Sequence, residues 1–144
     1  MSVIAELERY PEWAKSVRRT TVSQRFPDGR PRTARFWVAN SGISDDYVLD
    51  YQWDGDHKCT WRLVQGKLQN HQEGAYTLVS RGAETDVVCD LTIGLRVPLP
   101  AALRRLGQQH IMGIALRELK HRVESRARDG APDPAGGFES DVLP

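Results

Sequence analysis

Apolar side chains recur at every second residue through four consecutive segments between Tyr47 and Leu95. Side chains of a strand point alternately to its two faces, so each run places its members on one face of a sheet. The intervening positions are mostly polar, which is typical of an antiparallel sheet with one buried face. The alternating set comprises Tyr47, Leu49, Tyr51, Trp53, Cys59, Trp61, Leu63, Tyr76, Leu78, Val87, Cys89, Leu91, Ile93 and Leu95.

Two further strands are predicted upstream, at residues 17–25 and 33–40, joined by a turn at Asp28-Gly29. Ala34, Phe36 and Val38 share one face of the second. Asp54-Gly55 marks the next turn, and the last two strands are expected at 74–80 and 84–97. A helix at residues 2–9 and a second one beginning at Pro11 are expected to precede the sheet.

One long helix, at about residues 101–126, is the only large element left to cover the sheet. An apolar stripe spaced by three and four residues is predicted to face it: Ile111, Met112, Ala115, Leu116, Leu119 and Val123. Leu103, Leu106, His110 and Ile114 form a second stripe, for which burial against loops, self-association and a ligand portal are alternatives. The chain is thus predicted to be an α+β domain at 1–127 with a disordered tail at 128–144.

Composition excludes several classes of protein. The 144 residues carry a net charge of +1, and basic pairs such as Arg18-Arg19 are interleaved with acids, so no nucleic-acid partner is expected. No apolar run approaches the ~20 residues of a membrane span, and no basic-then-apolar leader opens the chain. A cytoplasmic protein without stable membrane insertion is therefore predicted.

No residue pattern in the chain indicates catalysis, a metal or a cofactor. Cys59 and Cys89 fall on strands separated by a third, which places their Cα atoms roughly 10 Å apart, too far for a disulfide. His110 and His121 lie about 16 Å apart along the helix, too far to share a metal. Asp54-Gly55-Asp56 lacks the remaining positions of a calcium loop. We therefore expect no metal and no cofactor, and catalytic residues remain unassigned.

Four of the predicted inner side chains are wide aromatic groups with polar tips: Tyr47, Tyr51, Trp61 and Tyr76. Buried hydroxyls need hydrogen-bond partners or water, so such residues suit the lining of a ligand pocket. Plain core filling is the alternative for each residue taken singly. Tyr10 and Trp13, at one end of the sheet, are either a pocket mouth or a structural clamp.

The order and spacing of these segments resemble a known superfamily. The resemblance is carried by VIA (3–5), YPEW (10–13), DGR (28–30), YVLDYQW (47–53), WRL (61–63), GAYTL (74–78), TDV (85–87), VPLP (97–100) and ALRELK (115–120), and it covers residues 1–124. Together they resemble the polyketide cyclase/dehydrase and coenzyme Q-binding branch of the START-like (SRPBCC) superfamily. The resemblance implies a helix-grip fold, with a cavity between the sheet and the C-terminal helix.

A ligand-binding set follows from that implied cavity. It consists of Phe36, Val38, Tyr47, Leu49, Tyr51, Trp61, Leu63, Tyr76, Leu78, Cys89, Leu91, Ile111, Met112 and Ala115. The leading hypothesis is binding of a lipid, quinone or polyketide without catalysis. A polyketide aromatase/cyclase is one alternative, with tyrosine hydroxyls orienting a carbonyl group. A ribosome-associated, toxin-like interaction protein is the other.

One departure from the superfamily concerns the start of the chain. Its members open with a strand before the first helix, whereas here Met1 falls inside that helix. A start codon assigned too late is the favoured explanation. The alternative is a sheet with two unpaired edges, on the strands of Val17 and Val87, which would invite pairing with another chain. A homodimer would then form through an exposed sheet edge or through the second helix stripe.

Overall fold

The fold is a six-stranded antiparallel sheet followed by one long helix. The computed structural model describes residues 1–40 and 42–130. Strands that are consecutive in the sequence are neighbours in the sheet, in the order β1-β2-β3-β4-β5-β6. The elements are α1 (Ser2–Ala5), a 3-10 helix (Leu7–Glu12), β1 (Val17–Arg25), β2 (Pro31–Asn40), β3 (Ile43–Asp54), β4 (Lys58–Gly66), β5 (Gln69–Arg81), β6 (Glu84–Leu95) and α2 (Ala101–Asp129).

The hairpin turns lie where the sequence predicts them. Gly29 and Gly55 have φ of 88° and 49°, a left-handed conformation in which a Cβ would be strained. β1 has the predicted bounds, and Cys59 and Cys89 are free thiols on strands that β5 separates. Within the described residues, β1 and β6 form the two edges of the sheet.

Several predicted element bounds are wrong. The first helix ends at Ala5 rather than at residue 9, and β2 begins at Pro31 rather than at residue 33. β5 begins at Gln69 rather than at residue 74, because residues 69–72 pair with β6 through a bulge and their polar side chains hide the alternation. The second helix does not begin at Pro11, which lies inside the single 3-10 helix. β6 ends at Leu95, two residues early.

Two separate elements cover the inner face, defined here as the sheet face that carries Phe36 and Tyr51. Leu7 of the 3-10 helix packs with Ala34, Phe36, Leu49 and Tyr51 over the β2–β3 half. A second cluster, over the β4–β6 half, joins α1 and α2 to the sheet through Val3, Ile4, Cys59 and Leu119. The long helix therefore covers the β4–β6 half of the inner face, and the short 3-10 helix covers the other half.

The C-terminal half of α2 is firmly docked. Leu119 is only 3% exposed. The Arg122 guanidinium lies 2.7 Å from a Glu12 carboxylate oxygen, and that of Arg126 lies 3.1 Å from Glu6. These pairs tie the helix to the N-terminal segment.

The N-terminal half of α2 makes few apolar contacts. Ile111, predicted to face the sheet, is exposed, and Met112, Ala115 and Leu116 near the middle of the helix are half-buried; Val123, predicted for the same stripe, is exposed in the C-terminal half. Leu103, Leu106 and His110 of the second stripe are exposed as well, so burial against loops is wrong for them. α2 therefore packs on the sheet mainly through the region around Leu119.

The predicted tail boundary is partly wrong, since α2 continues through residues 128 and 129. The rest of that prediction, residues 131–144, lies outside the described residues. Among the described helices, none combines the length and apolar character that a membrane crossing requires.

Candidate functional site

The strand registers place all the predicted strand members of the ligand-binding set on the inner face. Phe36 lies opposite Tyr47, Leu49 opposite Leu63, and Tyr51 opposite Trp61. Phe36, Leu49 and Tyr51 are buried. Of the helix members, Met112 and Ala115 are half-buried and Ile111 is 48% exposed. The remaining strand members are half-buried: Val38, Tyr47, Trp61, Leu63, Tyr76, Leu78, Cys89 and Leu91.

The inner aromatic rings contact one another both along β3 and across neighbouring strands. Tyr51 stacks on Trp53, with ring centroids 5.6 Å apart, and lies 6.1 Å from Trp61. The centroid of Trp61 is in turn 5.2 Å from that of Tyr76. Phe36 and Tyr47 form a second stacked pair at 5.5 Å. These contacts make a continuous aromatic surface across β3, β4 and β5.

Gly74 provides the space for the Trp61 ring. The two residues are directly opposed on β5 and β4, and a Cβ built on Gly74 would lie 2.2 Å from Cζ2 of Trp61. The Trp61 indole N–H, packed against this glycine, is buried and has no partner within the described part of the chain. The ring position therefore depends on the absence of a side chain at residue 74.

The four tyrosine hydroxyls divide into two groups. Tyr10 donates to the carbonyl oxygen of Ile4 at 2.6 Å, and its ring lies 4.8 Å from Trp13, so it acts as a structural clamp. The hydroxyls of Tyr47, Tyr51 and Tyr76 make no hydrogen bond to any described residue. Burial raises the pKa of each of these three phenols above the ordinary value for tyrosine. At neutral pH they are hydrogen-bond donors.

The two thiols are poorly suited to nucleophilic chemistry. Burial raises the pKa of the Cys59 thiol to about 11, and burial likewise raises the pKa of Cys89 to about 11. The thiolate is the reactive form of cysteine, and at neutral pH both residues are protonated. Both thus contribute as small apolar side chains to the inner face.

Three polar side chains on the inner face are more than nine-tenths buried: Asp45, Gln69 and Gln72. The Asp45 carboxylate accepts hydrogen bonds from the backbone N–H groups of Asp46 and Leu68, both at 2.8 Å. Its second oxygen accepts the side-chain amide of Gln69 at 3.0 Å. Tyr47 is close enough for the Asp45 charge to add to the rise in its phenol pKa.

Sequence reasoning missed this polar group. Asp45 precedes Tyr47 by two residues and Gln72 precedes Gly74 by two, so the period-two pattern itself would have extended to them. They were passed over because a buried strand face is expected to be apolar. Gln69 lies after a β-bulge, where the pattern shifts.

The outer face of the sheet has a different chemistry. A depression of about 550 Å³ lies over the middle of the sheet. Charged and polar residues such as Asp50, Arg62 and Glu73 line most of it, and Tyr51, Trp61 and Gly74 contribute as well. A smaller one, of about 300 Å³, includes the Arg35–Asp46 ion pair. No cluster of three or more potential metal ligands occurs in the part of the chain that the structure describes.

Comparisons with solved structures relate this architecture to known proteins. A START superfamily protein from Mycobacterium smegmatis superposes with a TM-score of 0.80 at 23% identity, over 86% of each chain. TTHA0849 from Thermus thermophilus gives 0.72 at 23% identity, over 87% of each. The ZhuI aromatase/cyclase from Streptomyces sp. R1128 gives 0.74 at 15% identity, over 94% of this chain and 88% of its own.

No protein-family model matches the chain, and no curated protein matches it significantly. At these identities the similarity shows the fold. The α+β architecture, with an antiparallel sheet and a long C-terminal helix, is the START-like helix-grip fold, as the sequence predicts.

Proposed function

We propose that this chain, which has the START-like helix-grip fold, binds a hydrophobic small molecule such as a lipid, quinone or polyketide between the inner face and α2. One observation carries the proposal. Tyr51 is 4% exposed and lies between Trp53 and Trp61, yet its hydroxyl has no hydrogen-bond partner among the described residues. The hydroxyl oxygen is not among the fully buried atoms that lack a partner, so it stays accessible on the inner face to a ligand or water that supplies its hydrogen bond.

The chemistry of the two faces supports the inner one as the binding surface. A hydrophobic ligand is stabilised by contact with apolar and aromatic side chains, which the inner face offers across β3 to β6. The outer depression over Asp50, Arg62 and Glu73 would instead leave charged groups in contact with an apolar molecule. The half-buried state of Trp61, Tyr76 and Leu91 leaves part of their surface open to a ligand.

An aromatase/cyclase activity is the second candidate, since three unpaired phenol groups share the inner face. Each could donate a hydrogen bond to a carbonyl of a polyketide chain and orient it for ring closure. The raised pKa of these phenols favours hydrogen-bond donation over proton transfer. Positioning is accordingly the role that we assign to them, and simple binding is the preferred function.

The test combines native mass spectrometry with a blocking variant. Protein purified from its producing host is expected to carry an apolar molecule that organic solvent extracts. Stripped protein should bind the neutral fluorescent probe N-phenyl-1-naphthylamine. Ala115→Trp adds a bulky ring at a half-buried position of α2, on the stripe predicted to face the sheet, and we expect it to weaken probe binding at least tenfold.

Ala102→Trp is the matched control, because Ala102 is exposed at the start of the same helix. It should leave probe binding unchanged, and circular dichroism should show both variants folded. Absence of any extracted molecule together with absence of probe binding would refute the proposal. Equal probe binding by the two variants would move the site away from the α2–sheet interface.

A further inference from the structure

We infer that Asp45 and Gln69 form a polar end of the inner-face site, which accepts a hydrogen bond from a neutral hydroxyl or N–H group of a flat apolar ligand and disfavours carboxylates. The inference rests on the proposed function, whose ligand it makes more specific. It starts from a buried acceptor without a partner among the described residues, the side-chain oxygen Oε1 of Gln69.

Both residues belong to the inner face. Asp45 pairs with Val38, which packs against the Phe36 cluster, and Gln69 pairs with Leu95 of β6. Gln72 pairs with Ile93, two residues before Leu95, so the bulge leaves the two glutamines on the same face. The polar end therefore lies beside the stacked Phe36–Tyr47 pair, because Asp45 and Tyr47 are two residues apart on β3, roughly 7 Å at the usual rise per residue.

The hydrogen bond to Asp45 fixes the orientation of the Gln69 side-chain amide. A carboxylate only accepts hydrogen bonds, so the Gln69 amide must turn its Nε2 toward Asp45, at 3.0 Å. Oε1 then points away from Asp45 and is buried without a described partner. A ligand that donates a hydrogen bond to this oxygen satisfies it, whereas a ligand that only accepts gains nothing there.

The charge of Asp45 is not balanced by a cation from the described residues. Its three hydrogen-bond partners are neutral N–H groups, from Asp46, Leu68 and Gln69. A second carboxylate brought to this end would meet like charge in a buried setting, which is unfavourable. The polar end thus distinguishes a phenol or alcohol from a fatty acid of similar shape.

The adjacent Gln72 supplies a second polar contact. It is 8% exposed, and its amide makes no hydrogen bond within the described part of the chain. The side-chain oxygen of Gln108 in α2 accepts the backbone N–H of Ile93, the strand partner of Gln72, at 2.6 Å. Leu106 and Ile111 on either side of Gln108 are exposed, so this end of α2 covers the sheet with few apolar contacts.

The test uses three probes with one ring system: phenanthrene, 9-phenanthrol and phenanthrene-9-carboxylate. Dissociation constants for the stripped protein can be measured by fluorescence titration. We expect 9-phenanthrol to bind about tenfold more tightly than phenanthrene, and phenanthrene-9-carboxylate to bind more weakly than both. Gln69→Leu should abolish the advantage of the hydroxyl and leave phenanthrene binding within about twofold.

Asp45→Asn gives the sharper result. The side-chain oxygen of the new amide must still accept the two backbone N–H groups, so its nitrogen faces Gln69. Gln69 must then turn over, directing Nε2 rather than Oε1 at the ligand. We expect the 9-phenanthrol to phenanthrene-9-carboxylate affinity ratio to fall at least tenfold in this variant.

Gln52→Leu, on the outer face of β3, is the matched control and should leave all three affinities unchanged. If circular dichroism shows that Asp45→Asn is unfolded, Gln72→Leu provides a further variant, because it loses no hydrogen bond to a described residue. It should also reduce the affinity advantage of 9-phenanthrol over phenanthrene. Unchanged affinity ratios in Asp45→Asn and Gln69→Leu, with phenanthrene still bound, would overturn the inference and leave the proposed function standing. Failure of all three probes to bind would overturn both.

Discussion

Among single residues, the tyrosines offer a direct test of which hydroxyls are structural. Tyr10→Phe removes the donor to Ile4, so we expect a loss of about 1–3 kcal/mol in the free energy of unfolding. Tyr51→Phe removes a hydroxyl that has no described partner, and it should leave the stability equal or slightly increased. Urea unfolding of the two variants measures the difference.

The same variants separate binding from catalysis. Loss of one hydrogen bond worth about 0.5–1.5 kcal/mol should weaken ligand binding by Tyr51→Phe by no more than about tenfold. A fall of about 10²–10⁴ in turnover of a polyketide substrate would instead establish Tyr51 as a proton donor. A large loss of stability in Tyr51→Phe would show that its hydroxyl is paired and would remove the main support for the binding site.

Gly74 is the second residue whose role can be isolated. In Gly74→Ala, the new Cβ would overlap the Trp61 ring, so the ring or the strand must shift. We expect destabilisation by about 1–3 kcal/mol, as for overpacked cores, with a change in tryptophan fluorescence. Gly107→Ala is the control, because its Cβ would meet no atom within 4 Å other than those of its chain neighbours and its own helix backbone, and alanine favours a helix by about 1 kcal/mol. Equal effects of the two substitutions would contradict this account of the Trp61 site.

Among the elements, α2 is divided between a docked and an exposed half. Leu119→Ala should cost about 2–5 kcal/mol, because it empties a buried position shared with Cys59 and Ile4. Leu106→Ala should cost less than about 0.5 kcal/mol, since Leu106 is 62% exposed. The two variants carry the same substitution in the same helix, and thermal or urea unfolding compares them directly. Similar losses would mean that the N-terminal half is packed as firmly as the C-terminal half.

For the molecule as a whole, the buried thiols predict a loss of stability in alkaline solution. Burial raises the pKa of Cys59 from 9.0 to about 11, so the folded chain retains a proton that the unfolded chain releases between these values. The stabilisation is complete below pH 9 and declines as the pH rises toward 11. Urea unfolding over this range of pH should show the decline.

Cys59→Ala is expected to show a shallower decline over that range, whatever its absolute stability. The remaining slope would come from Cys89 and the buried tyrosines, whose pKa values are also raised by burial. Parallel curves for the two proteins would show that Cys59 ionises freely in the folded state.

The sheet and its two faces could be predicted from the amino-acid sequence. Alternation is a local property of an extended chain, so the opposed pairs Tyr51–Trp61 and Leu49–Leu63 follow from a period of two and from turns such as Asp54-Gly55. The resemblance in motif order likewise led to the helix-grip fold. The strand members of the predicted site could be assigned to one face for the same reason.

What covers each part of that face depends on tertiary contacts. The 3-10 helix and α2 both pack on this sheet, although they are far apart in the sequence. No local pattern shows that the 3-10 helix covers β2–β3. Nor does any local pattern show that Leu106 and Ile111 of α2 stay exposed. The pairing of Asp45 with Gln69 joins residues 24 positions apart across a bulge. Burial of polar groups depends on such distant partners, because only a hydrogen bond formed in the folded chain offsets their loss of water.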